Sequence, residues 1–83
     1  MADISKIVLR MRASAGNVRF LDGLKVCTHY FGDSRTSGSH YIFKTPWRDD
    51  PLINIQNARG KMKPYQVKQV LSAIDRLKEE HNA

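Results

Sequence analysis

Ser37-Gly38-Ser39-His40-Tyr41-Ile42-Phe43-Lys44-Thr45 is the stretch that decides the fold of this chain. Its first three residues read as a tight turn, since glycine and serine supply the backbone freedom and local hydrogen bonds that turns need. From His40 to Thr45 the side chains alternate, with Tyr41 and Phe43 on one side and His40, Ile42 and Lys44 on the other. A period of two marks a half-buried strand. Beyond a loop containing Pro46, Asp49, Asp50 and Pro51, the run Leu52 to Gln56 alternates again and is rich in isoleucine. Two such runs joined by a loop predict an antiparallel pair. Before the turn, Asp33 to Thr36 is polar and reads as a short edge strand.

Working outward, the period lengthens on both sides. Ile4, Ile7, Val8 and Met11 fall at helical spacing over residues 4 to 12, with Asp3 as N-cap. Ser14-Ala15-Gly16-Asn17 breaks that pattern, and Asn17 is placed to cap a second helix. There Phe20, Leu24, Cys27 and Phe31 recur every three or four residues, Leu21 and Tyr30 widen the stripe, and Gly32 ends it. Gly23 costs this helix about 1 kcal/mol relative to alanine. Asn57-Ala58-Arg59-Gly60-Lys61 forms a basic turn after the last strand. Pro64 fits the first position of a closing helix, where its missing N–H does no harm. Val67, Val70, Leu71, Ile74 and Leu77 line one face of that helix. The order is α-α-β-β-β-α, an α+β fold whose three-stranded antiparallel sheet carries helices on one face. Phe43, Tyr41, Ile53 and Ile55 supply the sheet's part of the core. By parity His40 and Lys44 then face solvent or a ligand.

Eighty-three residues leave room for one small domain with a thin core. With 41% hydrophobic and 27% charged residues the composition is that of a globular chain and excludes disorder. The longest apolar run, Ile7-Val8-Leu9, is far short of a membrane span, and Asp3 and Lys6 occupy the place of a signal peptide's apolar region. A single cysteine, Cys27, excludes an internal disulfide framework and fits the cytoplasm. The net charge of +6 favours a polyanion or an acidic protein. Its excess lies in the middle of the chain, where Arg35, Lys44, Arg48, Arg59, Lys61, Lys63 and Lys68 face only Asp49 and Asp50.

His40 is the candidate for chemistry. Imidazoles titrate near neutrality, and beside Lys44, Arg35 and Lys61 one suits proton transfer on a phosphodiester. In RNA cleavage by the 2′-hydroxyl a base takes that proton, an acid protonates the leaving 5′-oxygen, and cations stabilise the charge on phosphorus oxygens. Neither metal nor cofactor is required. Lys61, Lys63 and Lys68 lie at the start of the closing helix, where backbone phosphates could be held. Clustered lysines there oppose the helix dipole, which favours a ligand over a merely solvated face. Cys27-Thr28-His29 offers two metal ligands where a structural zinc needs four. Cys27 falls on the apolar stripe and reads as a buried structural thiol, His29 as a surface residue, and Tyr65 as a core anchor.

The run Gly38-Ser39-His40-Tyr41-Ile42-Phe43-Lys44-Thr45-Pro46 resembles the GSH-x-x-F motif of HicA-type toxins, small mRNA interferases of HicA/HicB type II toxin-antitoxin systems. The preceding helix (Leu21 to Phe31, then Gly32), the strand Leu52 to Gln56 and the helix start Lys61-Met62-Lys63-Pro64 follow the same family order. The resemblance covers residues 20 to 77, within a core of 17 to 80. It implies a double-stranded-RNA-binding-domain-like fold, a metal-independent endoribonuclease with His40 as general acid or base, and a HicB-type antitoxin covering the active face. Arg35, Ser39, Lys44, Trp47, Arg59, Lys61 and Lys63 are the RNA-binding set of this reading. Trp47 stacks on an unpaired base or an antitoxin, or covers a core edge. Where the family carries a Pro-His pair after the last strand, this chain reads Gln56-Asn57-Ala58-Arg59, so a second role is vacant or falls to Asn57 or Arg59. The segment 4 to 12 lies outside the family core. It could pack on the sheet's edge, dock an antitoxin or make a dimer contact. The alternative function is a non-catalytic RNA-binding module, which recognises duplex RNA through shape and phosphates. A protein-interaction domain with a basic face is a third.

Overall fold

The computed structural model describes residues 3–47 and 52–82. Arg48, Asp49, Asp50 and Pro51, placed by the sequence reading in a loop and among the charged residues, lie outside the described residues. The elements are α1 (Ile4–Ala13), α2 (Phe20–Phe31), β1 (Arg35–Ser37), β2 (His40–Phe43), β3 (Ile53–Gln56) and α3 (Pro64–Asn82). This is the expected α-α-β-β-β-α order, with a sheet in the order β1-β2-β3 and every pair antiparallel.

The turn at Gly38-Ser39 joins Ser37 to its partner His40 with two residues. Gly38 has φ 62°, the left-handed value that the first position of a type II′ hairpin turn requires. Register follows from it. Thr36, Tyr41 and Ile55 share one row, and Phe43 pairs with Ile53. Tyr41 and Phe43 therefore join Ile53 and Ile55 on the inner face, where Phe43, Ile53 and Ile55 are buried. Against that face lie α2, through Phe20, Val26 and Cys27, and α3, through Val67, Val70 and Ile74. The rings of Phe20 and Tyr41 meet at 5.1 Å.

Helix α1 starts on Asp3, whose carboxylate accepts the N–H of Ser5 at 3.2 Å. It packs on α2 and α3 and touches no strand among the described residues, which removes the sheet's edge from the three places open to it from sequence. Ile7, Val8 and Met11 make the contact, and Arg12 clamps Asp75 of α3 at 2.6 and 3.3 Å.

The entry to α2 also differs from expectation. Asn17 is not its cap: the helix begins three residues later, with Arg19 at the N-cap and no side-chain cap bond. The chain over 18–20 instead pairs with the turn after β3. Phe20 N–H reaches Gly60 O at 2.9 Å and Met62 N–H reaches Val18 O at 2.9 Å. Those backbone bonds use the groups an Asn17 cap would have organised. The stripe of α2 turns accordingly. Gly23 and Val26 are buried, whereas Leu21 is 73% exposed. Gly23 is explained by Met62, whose thioether occupies the space of any Cβ there. Tyr65, expected as a core anchor, is 63% exposed, because the second residue of a helix opened by Pro64 points outward. The core position falls to Gln66, buried, whose side-chain oxygen accepts the N–H of Gln56 at 3.0 Å. That bond serves a backbone donor at the end of β3, and such donors are costly to leave unpaired.

Candidate nucleic-acid interface

The outer face of the sheet is fixed by the same register. One row across it holds Arg35, Ile42 and Asn54, and the next holds Ser37, His40 and Gln56. Lys44 continues the side of Ile42 just past the end of β2. Helices α2 and α3 pack against the other face, and Phe31 at the end of α2 reaches the β1 side of this one.

His40 is half-buried within it. Its Nδ1 lies 3.0 Å from Oδ1 of Asn54, one row along on β3. An amide oxygen only accepts, so the contact is a hydrogen bond in the tautomer that carries the ring proton on Nδ1. Nε2 is then the basic nitrogen of the neutral ring, and it has no hydrogen-bond partner among the described residues. Ser39 and Gln56 close the neighbouring row, with Gln56 Nε2 donating to Ser39 Oγ at 3.4 Å. An imidazole held by one nitrogen, with the other presented outward, can take or give a proton to a ligand lying on the sheet.

Cations approach this face from the β1 side. Arg35 and Lys44 rim a cavity of about 360 Å³ floored by Phe31, Ile42 and Leu52, with Asp33 on its edge. Arg59 and Lys61 stand elsewhere, on the two-residue hairpin that follows β3. Ala58 and Lys61 exchange both backbone hydrogen bonds there, at 2.8 and 3.1 Å. Arg59 and Gly60 occupy the tip with φ 55° and 85°, and Asn57 Oδ1 accepts the Gly60 N–H at 2.6 Å. This is the type I′ pattern, with arginine where asparagine or glycine is usual. Lys61 faces a second cavity of about 440 Å³, between α1 and the start of α2, together with Arg10, Arg19 and Asp22. The two basic clusters line separate cavities and share no residue.

Lys63 is half-buried, and its carbonyl receives the first N–H groups of α3, from Gln66 and Val67. Trp47 packs on the core, and the Arg76 guanidinium lies 4.4 Å from its ring centre. It covers a core edge, as one of the sequence readings has it, and its ring lies under a cation of its own chain. Cys27 is buried, and burial pushes its thiol up to about 12, which denies it a thiolate role. His29 sits on the exposed surface of α2 with its ring edge-on to Tyr30. Among the described residues no group of three or more His, Cys, Asp or Glu gathers as metal ligands, and no helix is long and apolar enough to cross a membrane.

Asn54, Gln56 and Asp33 were not singled out from sequence. Asn54 had a signal: a polar residue between two core isoleucines must point to the opposite face, where His40 already stood.

Fold and site together define a small α+β domain whose open sheet face is organised around one oriented histidine. No protein-family model, no curated protein and no solved structure matches the chain.

Proposed function

We propose that this protein is a metal-independent endoribonuclease acting through His40, the mRNA-cleaving toxin of a HicA/HicB-type pair. The observation that carries the reading is the His40–Asn54 contact on the open face, which leaves Nε2 available beside the Arg35 and Lys44 side of the sheet. In the reaction Nε2 takes the proton of a ribose 2′-hydroxyl, and the oxygen attacks the adjacent phosphorus. The bond to the 5′-oxygen breaks, and that oxygen leaves with a proton drawn from solvent. The products are a 2′,3′-cyclic phosphate and a 5′-hydroxyl. Arg35 and Lys44 hold phosphate oxygens as negative charge accumulates on them. The nucleophile belongs to the substrate, so the chemistry asks of the protein only a base, cations and a surface. The partner would be an acidic-faced antitoxin laid over the sheet, and the working compartment the cytoplasm.

His40→Ala tests this. End-labelled RNA incubated in chelator with the wild-type chain should yield fragments ending in cyclic phosphate. The variant should be slower by about 10²- to 10⁴-fold, the usual contribution of one acid–base group. Cleavage by His40→Ala at the wild-type rate would sink the reading. Equal RNA affinity of both chains with no cleavage by either would leave the non-catalytic RNA-binding module in its place.

A further inference from the structure

Ile42 occupies a polar face of the sheet, yet it is half-buried. Together with Phe31 and Leu52, the latter 41% exposed, it floors the cavity of about 360 Å³ at the β1–β2 side. Ile42 lies two residues along β2 from His40 and pairs directly with Asn54, which holds the imidazole. Two strand residues span about 7 Å, so the apolar floor adjoins the histidine on the same face.

The rim carries Asp33, Arg35 and Lys44, and none of the three makes an ion pair among the described residues. Two cations alone would suit phosphate. A carboxylate beside them repels phosphate and accepts hydrogen bonds, and on a nucleotide the group that suits it is a base edge with N–H donors. Apolar side chains together with a hydrogen-bond acceptor and two cations in one lining match a nucleotide, its base against the apolar residues and its phosphates outward. Among the four bases guanine presents two adjacent donors, N1–H and N2–H, which the two oxygens of one carboxylate accept together. Adenine, cytosine and uracil offer no such pair.

We propose that this cavity binds the guanine base of an unpaired nucleotide beside the cleaved phosphate, with Asp33 reading the base and Arg35 and Lys44 holding its flanking phosphates. The assignment rests on reading the sheet face as an RNA surface, and it narrows the substrate to single-stranded RNA. In a duplex the edge that Asp33 reads is taken up by base pairing, and sequence is read in RNA chiefly where bases are unstacked.

The test uses the full chain, labelled with ¹⁵N, and 2′-O-methylated pentanucleotides that cannot be cleaved. They differ only in a central guanosine, inosine or adenosine. Guanosine should bind about five- to 150-fold more tightly than adenosine, the range for one bidentate base contact. Inosine, lacking N2–H, should fall between them. Amide shifts should centre on residues 33–35, 42 and 52, and Asp33→Asn should bring guanosine and adenosine within about twofold of each other. Asp33 is exposed, so an unchanged spectrum elsewhere verifies that the variant folds. Equal affinity for guanosine and adenosine, or shifts avoiding these residues, overturns the proposal. His40-dependent cleavage of unmodified RNA with no base preference would overturn it while leaving the nuclease standing. Guanine binding at these residues without any cleavage would uphold the pocket and remove the nuclease. Shifts at the cavity with an arginine-bearing peptide but with no RNA would mark a protein contact and overturn both.

Discussion

Asn54 is the residue on which the site's orientation turns. It touches His40 and, as proposed, no substrate, so its role is to position. Under the proposed function, Asn54→Ala should lower kcat for RNA about tenfold while leaving KM within about twofold, since Arg35 and Lys44, the proposed phosphate contacts, are untouched. A rise in KM with kcat unchanged would show that Asn54 binds substrate instead. Gly23 illustrates the opposite case, a residue whose cost in the sequence is explained by packing. Alanine there gains about 1 kcal/mol of helix propensity. It must also displace the buried Met62 thioether, and overpacking of this kind costs typically about 1–3 kcal/mol. Gly23→Ala should therefore melt at or below the wild-type temperature, by up to about 10 °C. A higher melting temperature would mean that Met62 moves aside freely. His40, Tyr41 and Phe43 were legible because strand parity assigns a face to every residue of a short run. Asn54 became informative only once register set it beside a particular histidine.

At the scale of elements, all six were legible from period and punctuation, as was the antiparallel pairing of β2 with β3, while the contacts that fix α1 and the start of α2 were not. Gly38 and Gly32 marked a turn and a helix end because few residues tolerate positive φ. The start of α2 was misplaced because its capping comes from the distant hairpin 57–62, which no local pattern near Asn17 reveals. The α1–α3 clamp is of the same kind, joining Arg12 to Asp75 across 63 positions. Hydrogen bonding from Arg12 holds the Asp75 carboxyl below the usual carboxylate range. A depressed folded value means stabilisation that is present above the unfolded carboxylate value of about 3.9 and is lost as pH falls through the folded one. Both side chains are well exposed, so solvent screening limits the pair to about 1 kcal/mol or less. Asp75→Asn should accordingly be less stable than wild type at pH 7 by no more than that amount, and indistinguishable from it near pH 2. A difference in denaturant midpoint that persists at pH 2 would assign the loss to packing rather than to charge.

Across the whole molecule, a net charge of +6 can act in two ways that a single affinity does not separate. As a diffuse field it attracts any polyanion, and the loss of any two cations is equivalent. As specific contacts it releases counterions only where a side chain meets a phosphate, and the salt dependence counts those meetings. The structure makes the distinction testable, because cations of equal number stand on different surfaces. Arg35 and Lys44 rim the cavity on the open face beside His40, whereas Lys6 and Lys25 are exposed on α1 and α2. For single-stranded nucleic acid the slope of log affinity against log salt is about −0.7 per phosphate neutralised. The double replacement of Arg35 and Lys44 by glutamine should therefore make the slope shallower by about 1.4. The double replacement of Lys6 and Lys25 by glutamine removes the same net charge and should leave the slope as it is. Fluorescence anisotropy of a labelled single-stranded RNA, followed across a salt series for the three chains, decides between them. Equal changes in both doubles would reduce the basic surface to a general attraction and take the phosphate-holding role away from Arg35 and Lys44. A change confined to the first places the RNA backbone along the edge of the sheet that presents the histidine.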